Sequence, residues 1–192
     1  MELFFYLHFQ VMKPGDFLIA TPSIIGDFNF QRSCVLIVDI KESGSVGFIV
    51  NKKLEHTLSD VMENISIPLP LFYGGPVEQD NLFFTHTLGD LIPNSIKINN
   101  NLFWSGNLET VLELLKSGKL DNNKIRFFLG YSGWSKGQLE SEFEDNSWVI
   151  SNIVNSNDWM EQNTEEFWKN EMRALGGKYL LWSNAPDNPM SN

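Results

Sequence analysis

The segments CVLIVD (Cys34–Asp39) and VGFIVN (Val46–Asn51) decide the fold class of this chain. Each contains a run of consecutive apolar residues that has the length of a strand and is too short for an ordinary helix. The intervening Glu42-Ser43-Gly44-Ser45 is typical of a tight turn. Because the runs do not alternate apolar and polar residues, we expect a hairpin whose strands are covered on both faces.

Similar short segments surround this hairpin. Tyr73-Gly74-Gly75-Pro76 is predicted to turn the chain, because glycine and proline together favour turns. Lys178–Trp182 is predicted to be a short apolar strand or a docking segment. Further extended segments are predicted at Asp16–Thr21, Leu82–Thr87, Ser95–Ile98, Leu102–Trp104, Lys124–Gly130 and Ser147–Ser151.

Four helices are predicted between these extended segments. Asn107–Lys116 is the clearest, because its leucine and valine residues recur at helical spacing and Asn107 is a good N-cap. The other helices are predicted at Thr57–Ile65, from a capping box at Ser135 to about Asp145, and from Asn163 to Leu175. Strands and helices do not alternate regularly, so we predict an α+β fold and not a doubly wound parallel sheet.

The length of the chain predicts one domain. It has 192 residues, of which 42% are hydrophobic, enough for a large core. We expect residues 12–151 to form the domain and residues 152–192 to be a C-terminal extension, a helix plus an extended tail, that packs on it. Residues 1–11 lack the basic start and the cleavage site of a signal peptide. We interpret them as a dispensable arm or as the product of an upstream start site, with Met12 as the alternative first residue.

Composition excludes several classes of function. The net charge of −10 argues against direct binding to nucleic acid or to an anionic membrane. Cys34 is the single cysteine, so an intramolecular disulfide is excluded. No apolar run reaches the length of a membrane span, and no export signal is evident, which predicts a cytoplasmic protein. We predict no metal and no cofactor, because the three histidines and one cysteine form no ligand pattern.

No set of catalytic residues, such as a nucleophile with a base, is evident in the sequence. Gly130-Tyr131-Ser132-Gly133-Trp134 is similar to the hydrolase pattern G-x-S-x-G, but the fifth position is tryptophan and no histidine follows Ser132. Cys34 lies inside an apolar strand, where a thiol behaves as a small hydrophobic side chain. The acidic residues from Glu140 to Asp145 are predicted to form a solvated helix face, with Glu140 and Glu144 on the same side.

Several segments together resemble the AlgH/YqgE family of bacterial proteins. They are GDFLIATP (15–22), DFNFQRSCVLI (27–37), GSVGFIVNK (44–52), YGGPV (73–77), LFFTH (82–86) and GYSGWSKGQLESE (130–142). The resemblance implies an α+β fold of one compact domain, with a bifurcated mixed sheet curled into a pseudo-barrel and flanking helices. Members are uncharacterised, and some carry the label of transcriptional regulator. Lys53 and Ser132 depart from the family pattern, where proline and alanine are common.

The positions that match the family signature supply the candidate site. We predict a binding cleft lined by Asn51, Gly74, Gly75, His86, Trp134 and Gln138. Asp27 and Arg32 are predicted to form a structural polar pair that fixes the loop between the first two strands. The alternative is that all these residues only shape the backbone and satisfy local hydrogen bonds. On that alternative the signature marks a fold and not a site.

Three functions follow from these expectations. The resemblance favours a transcriptional regulator that acts through a protein or ligand partner and not by direct DNA binding. The alternative is a module that binds a small molecule, such as a nucleotide or a metabolite. The third is an enzyme of unknown type, for which the sequence offers no nucleophile and base. The oligomeric state stays open.

Overall fold

The computed structural model of the chain describes residues 12–24, 26–63, 65–151, 157–161 and 163–184. The predicted arm at 1–11, residues 152–156 and the predicted tail at 185–192 lie outside the described residues. The strands are Phe17–Ala20 (β1), Cys34–Lys41 (β2), Gly44–Ile49 (β3), Lys53–Thr57 (β4), Pro70–Tyr73 (β5), Val77–His86 (β6), Ile96–Lys97 (β7), Phe103–Trp104 (β8), Ile125–Ser135 (β9) and Trp148–Ser151 (β10). The helices are Leu58–Val61 (α1), Leu108–Lys116 (α2), Gln138–Glu144 (α3), Thr164–Leu175 (α4) and Tyr179–Ser183 (α5), with 3₁₀ turns at Gly89–Leu91, Asn122–Lys124 and Asn157–Met160.

The strands form one sheet that branches at β9. Its order is β10-β1-β2-β3-β9-β6-β8-β7, and β5 joins β9 on a side branch that also holds β4. The first part of β9 pairs with β5 in parallel and with β6 in antiparallel orientation, whereas its second part pairs with β3. The predicted α+β fold and bifurcated mixed sheet are therefore confirmed. Within the described chain β10 and β7 are the two ends of the main path and do not pair, so the sheet is not closed into a barrel.

The hairpin of β2 and β3 is covered on both faces, as its unbroken apolar runs predict. Cys34 through Ile37 have no exposed surface. Cys34 and Leu36 belong to one core cluster, whereas Val35 and Ile37 belong to another. Successive side chains of a strand point to opposite faces, so these two clusters are the two layers between which the sheet lies.

Two predicted helices are confirmed with their caps. The Asn107 side chain accepts a hydrogen bond from Thr110 N at 2.8 Å at the start of α2. The Asn163 side chain accepts from Glu165 N at 3.0 Å at the start of α4. Each cap satisfies a backbone donor that the first helical turn leaves without a partner.

The helix predicted at Thr57–Ile65 is shorter than expected. Only Leu58–Val61 is helical, because Met62 has an extended backbone and Leu58 N donates to Leu69 O, which pulls the following segment back beside β4. The capping box predicted at Ser135 is formed in part. Gln138 accepts from Ser135 N at 3.1 Å, but the helix begins only at Gln138 because Gly137 has φ +81.

Tyr179–Ser183 is a helix that begins directly after Lys178, so of the two predictions for Lys178–Trp182 the short strand is wrong. Gly176 and Gly177 have φ of +67 and +53, and this left-handed pair ends α4 and turns the chain. Tyr179 and Trp182 then lie about one helical turn apart and pack together against the main core. An apolar run of this length fits a strand or a helical turn equally, and only the glycine turn decides between them.

The segment after residue 157 shares its core with the strands. Trp159 packs edge-on against Phe17 at 5.8 Å, and the Trp168 indole donates to Ala20 O at 2.7 Å. Phe167 and Met172 are fully buried in the same cluster. No helix in the described ranges is long and apolar enough to cross a membrane.

Arg126 on β9 holds the segment after residue 157 against the sheet. Its guanidinium donates to Val50 O at 2.8 Å and to Met160 O at 2.7 Å. It lies between the rings of Phe72 and Trp159, at 4.3 and 4.7 Å from their centroids. Burial lowers the pKa of Arg126 to about 10, so the side chain stays protonated at neutral pH.

Candidate ligand-binding cavity

The glycines of the predicted cleft lie against the backbone of β9. A Cβ on Gly74 would meet Gly130 O at 2.1 Å, and a Cβ on Gly75 would meet the Tyr131 carbonyl carbon at 2.4 Å. Ser132 Oγ donates to Gly74 O at 3.0 Å and is fully buried. These residues therefore allow two backbones to approach closely, and the Ser132 hydroxyl is already engaged.

His86 is buried in a local hydrogen-bond network. Leu88 N donates to its Nδ1 at 3.3 Å, so we assign the ring proton to Nε2, which lies 3.2 Å from Ser105 O and 2.9 Å from Ser95 Oγ. The ring stacks on Phe103 at 5.7 Å and has no exposed surface. Burial lowers the pKa of His86, and the hydrogen bond to Ser105 opposes this effect. The imidazole is therefore neutral at pH 7.

The structure does not bring the six predicted cleft residues together. His86 is opposite Ile125 at the start of β9, whereas Trp134 is near its end, opposite Ser45. The two positions are nine steps apart along β9, which is about 30 Å of extended chain. One cleft lined by both His86 and Trp134 is therefore not formed.

Trp134 and Gln138 belong instead to a carboxylate clamp around Glu142. Glu142 Oε2 accepts from the Trp134 indole at 2.9 Å and from the Trp148 indole at 2.7 Å. Its Oε1 accepts from Gln138 Nε2 at 2.9 Å. The clamp ties β9, α3 and β10 together, so Glu142 is not the simple solvated residue that its helix position predicts.

Asn51 fixes the backbone that precedes β2. Its Oδ1 accepts from Cys34 N at 2.8 Å, and its Nδ2 donates to Arg32 O at 2.9 Å. Arg32 has φ +53, and its guanidinium lies over the Trp168 ring at 5.1 Å. A polar cleft of about 290 Å³ opens here, and its described lining carries charges of both signs: Arg32, Asn51, Thr164, Glu165, Glu166, Trp168 and Lys169.

Asp27, the acidic member of the predicted polar pair, lies close to Lys52. Lys52 Nζ donates to Phe28 O at 3.1 Å and to Asn29 O at 2.8 Å, which holds the loop onto the sheet. Burial lowers the pKa of Lys52, and the Asp27 carboxylate opposes this effect. Asp27 Oδ1 also accepts from Asn29 N at 2.9 Å, so both side chains support the loop between β1 and β2.

Cys34 and Glu171 are both buried in the core and lie near each other. Burial, followed by the nearby Glu171 carboxylate, raises the pKa of the Cys34 thiol well above its ordinary value. The thiol is thus inert at neutral pH, as expected for a core cysteine. Ser151 Oγ donates to Glu171 Oε2 at 2.5 Å, and the Glu171 residue is only 5% exposed. Burial raises the pKa of Glu171, while the Ser151 hydrogen bond acts in the opposite direction.

Glu171→Gln is expected to stabilise the protein at alkaline pH and not at acidic pH. The folded pKa is raised, so the neutral carboxyl contributes stability below about pH 4.5, and this is lost as pH rises through the folded pKa. Glutamine keeps an acceptor for Ser151 without the charge. We expect Tm at pH 8 to rise by about 3 °C relative to the wild type, with no difference at pH 4. An equal shift at both pH values would contradict the buried carboxylate as the cause.

A feature that sequence reasoning missed is an aromatic cavity at the edge of the sheet. It has a volume of about 270 Å³ and lies between β10, the end of α3 and α5. Phe143 and Trp148 are buried in its wall, and Tyr179 and Trp182 close it from α5. The other described lining residues are Thr21, Ser23, Asn146, Val149, Ile150 and Lys178.

β10 contributes Trp148, Val149 and Ile150 to the cavity lining and is an end strand of the main path of the sheet. Thr21 N donates to Ser147 O at 2.9 Å, which identifies that pair as hydrogen-bonded in the antiparallel ladder of β1 and β10. Bonded and non-bonded pairs alternate, so Trp148 and Ile150 are in non-bonded pairs with β1. Their peptide N–H and C=O groups therefore point away from β1, towards the outer edge of β10.

The described lining of the cavity is mostly aromatic, aliphatic and uncharged polar. Its described lining contains no histidine, cysteine or carboxylate. Across the described residues no group of three histidine, cysteine or acidic side chains is placed to hold a metal ion. Thr21 Oγ1 donates to Asn146 O at 2.6 Å, so that hydroxyl holds the wall in place.

The fold and the cavity define a small α+β protein with an aromatic cavity at the edge of its sheet. The chain belongs to the AlgH-like family, DUF179, whose model matches residues 17–180. This confirms the resemblance drawn from the sequence motifs.

Similar proteins extend over nearly the whole chain. A UPF0301 protein of Chlorobaculum tepidum is 37% identical over 185 residues, covering 96% of this chain and 98% of the relative. A UPF0301 protein of Cytophaga hutchinsonii is 40% identical over 184 residues, covering 95% and 100%. The family is uncharacterised, and these names state no activity.

Two solved structures share the fold. A crystal structure of a Corynebacterium diphtheriae protein has a TM-score of 0.71 at 23% identity and covers 91% of this chain and 93% of that one. The solution structure of AlgH from Pseudomonas aeruginosa has a TM-score of 0.70 at 26% identity, covering 91% and 95%.

Proposed function

We propose that the protein is a cytoplasmic regulatory module that binds a small molecule in the aromatic cavity. The observation that supports this proposal is a cavity of about 270 Å³ with four aromatic side chains among its described lining residues. Small-molecule sites are typically concave, largely apolar and few per protein. The volume suits a ligand of one or two rings.

The wall of the cavity is held in place by the protein's own hydrogen bonds. The Trp148 indole is fixed by Glu142, and Thr21 is fixed by Asn146. A wall that is already ordered loses little entropy on binding, which favours affinity. Tyr179 and Trp182 are held by their edge-on contact at 5.8 Å.

A substitution that fills the cavity tests the proposal. Ser23 is an exposed lining residue, so Ser23→Trp is expected to place an indole in the cavity without loss of stability. We expect the uncharged probe 2-naphthamide to bind the wild type, measured by calorimetry, and Ser23→Trp to weaken that binding at least about tenfold. Ser43→Trp, on the exposed turn between β2 and β3, is the matched control and should bind as the wild type. Equal binding by all three proteins would place the probe elsewhere and overturn the proposal.

Regulation through a protein partner is the second candidate, and α5 supports it. The helix that closes the cavity exposes Leu180 and Leu181, which are 46% and 77% exposed. Exposed apolar residues beside a ligand site are a surface on which a partner protein senses whether the site holds a ligand. The net charge of −10 favours this indirect route over direct contact with DNA. A specific complex with DNA at physiological salt in a gel shift would contradict that part of the proposal.

Leu181→Glu is expected to abolish partner association while leaving the fold intact. The matched control is Leu91→Glu, since Leu91 is similarly exposed at 66% and lies in the 3₁₀ turn after β6. Proximity labelling in cells, quantified for both variants, should show proteins lost with Leu181→Glu and retained with Leu91→Glu. Identical labelling by the two variants would exclude α5 as the partner surface.

A further inference from the structure

We propose that the ligand of the aromatic cavity is a planar aromatic anion, with its ring between the aromatic walls and its carboxylate at Lys178. This inference rests on the proposed function of the cavity as a binding site. It goes further by assigning the charge of the ligand, which the aromatic walls alone leave open.

The charge of the lining favours an anion. Lys178 is the one charged residue among the described residues of the cavity. This is a cationic site in a chain with 24 acidic and 14 basic residues. Glu144 and Asp145 precede Asn146 in sequence but are not among the described lining residues. A ligand carboxylate therefore meets an ammonium group here, whereas a cationic ligand is repelled.

The position of Lys178 suits a group at the mouth of the cavity. Its Nζ lies over the Tyr179 ring at 5.3 Å, which holds the ammonium beside an aromatic wall. Lys178 is exposed and Trp148 is buried, so the cavity is charged at its opening and apolar inside. A ligand with an aromatic ring and one carboxylate would place the ring in the apolar interior and the carboxylate at the charged opening.

The edge of β10 adds hydrogen-bond donors. The peptide N–H groups of Trp148 and Ile150 point away from β1, as the ladder register requires. Hydrogen bonds from backbone N–H to a carboxylate are stronger than those to a neutral acceptor. Lysine and peptide donors together distinguish a carboxylate from an uncharged group of the same shape.

The test compares two probes of the same shape, 2-naphthoate and 2-naphthamide, by calorimetry on the full chain. For the wild type we expect the carboxylate to bind about fivefold more tightly than the amide at low salt, because an exposed ion pair contributes modestly. This preference should shrink as added salt screens the exposed charge. Lys178→Met should reduce the preference to the part that the peptide donors supply and leave amide binding unchanged.

Lys119→Met is the matched control, because Lys119 is exposed and lies after α2, away from the cavity lining. It should keep the full preference for 2-naphthoate. Equal affinity of the wild type for both probes, or a preference that is undiminished in Lys178→Met, would overturn the assigned charge while the cavity stands as a binding site. Failure of both probes to bind would overturn the proposed function itself. Lys178→Gln, which keeps a polar side chain, should reproduce the Lys178→Met result.

Discussion

Replacing Gly74 by alanine is expected to prevent stable folding. The new Cβ would lie 2.1 Å from Gly130 O and 3.1 Å from Phe128 Cβ, and both atoms belong to β9 at the centre of the sheet. Backbone in a central strand cannot yield without loss of its own hydrogen bonds. We expect a loss of at least about 3 kcal/mol, at the upper end of overpacking costs. Urea unfolding followed by tryptophan fluorescence measures it.

Gly118→Ala is the control for Gly74. Gly118 has φ +67 but nothing within 4 Å of an added Cβ, so only its backbone conformation is strained. A cost of about 1 kcal/mol is expected there. If Gly74 were a ligand contact and not a close approach, Gly74→Ala would fold normally and lose binding alone. Similar costs at both positions would contradict the steric argument.

Arg126→Ala is expected to cost about 4 kcal/mol of unfolding free energy. The substitution leaves the carbonyls of Val50 and Met160 without their donor, at roughly 1–3 kcal/mol each. It also removes the guanidinium that fills the space between Phe72 and Trp159. Removing a buried charge offsets part of this loss. Denaturant unfolding measures the difference.

Two further variants separate charge from shape at this position. Arg126→Met keeps an unbranched apolar side chain between the two rings without a buried charge, so we expect it to cost less than Arg126→Ala. Arg126→Lys keeps the charge, but an ammonium lacks the planar fork that reaches two carbonyls at once. We expect it to cost more than Arg126→Met. A variant as stable as the wild type would show that the two carbonyl contacts contribute little.

The hairpin, the α+β class and helices α2 and α4 could be predicted because each depends on a local pattern. The runs of β2 and β3 are apolar without interruption, and Asn107 and Asn163 cap helices with their own side chains. Such signals lie within a few residues of one another.

The aromatic cavity could not be predicted, because its walls come from distant parts of the chain. Thr21, Phe143 and Tyr179 meet only after β10 pairs with β1 and α5 folds back. Glu142 was missed for a similar reason. Its indole partners lie eight residues before and six residues after it, across two changes of direction.

The candidate glycines show the opposite difficulty. Their sequence indicates a turn, but the neighbour that demands glycine is β9, more than 50 residues away. The glycines of this motif are thus required because two backbone segments pack closely together there. His86 and Asn51 are similar, since their polar atoms are engaged by nearby backbone groups.

The branch at β9 has a consequence for synthesis of the chain. Strands β3, β5 and β6 each take a pairing partner from β9, which is made after all of them. While the ribosome is still producing residues before Ile125, those strands have apolar faces and open edges that nothing yet covers. A growing chain in this condition is a substrate for chaperones and for aggregation. We therefore expect the nascent chain to be most prone to aggregation before its central strand has emerged.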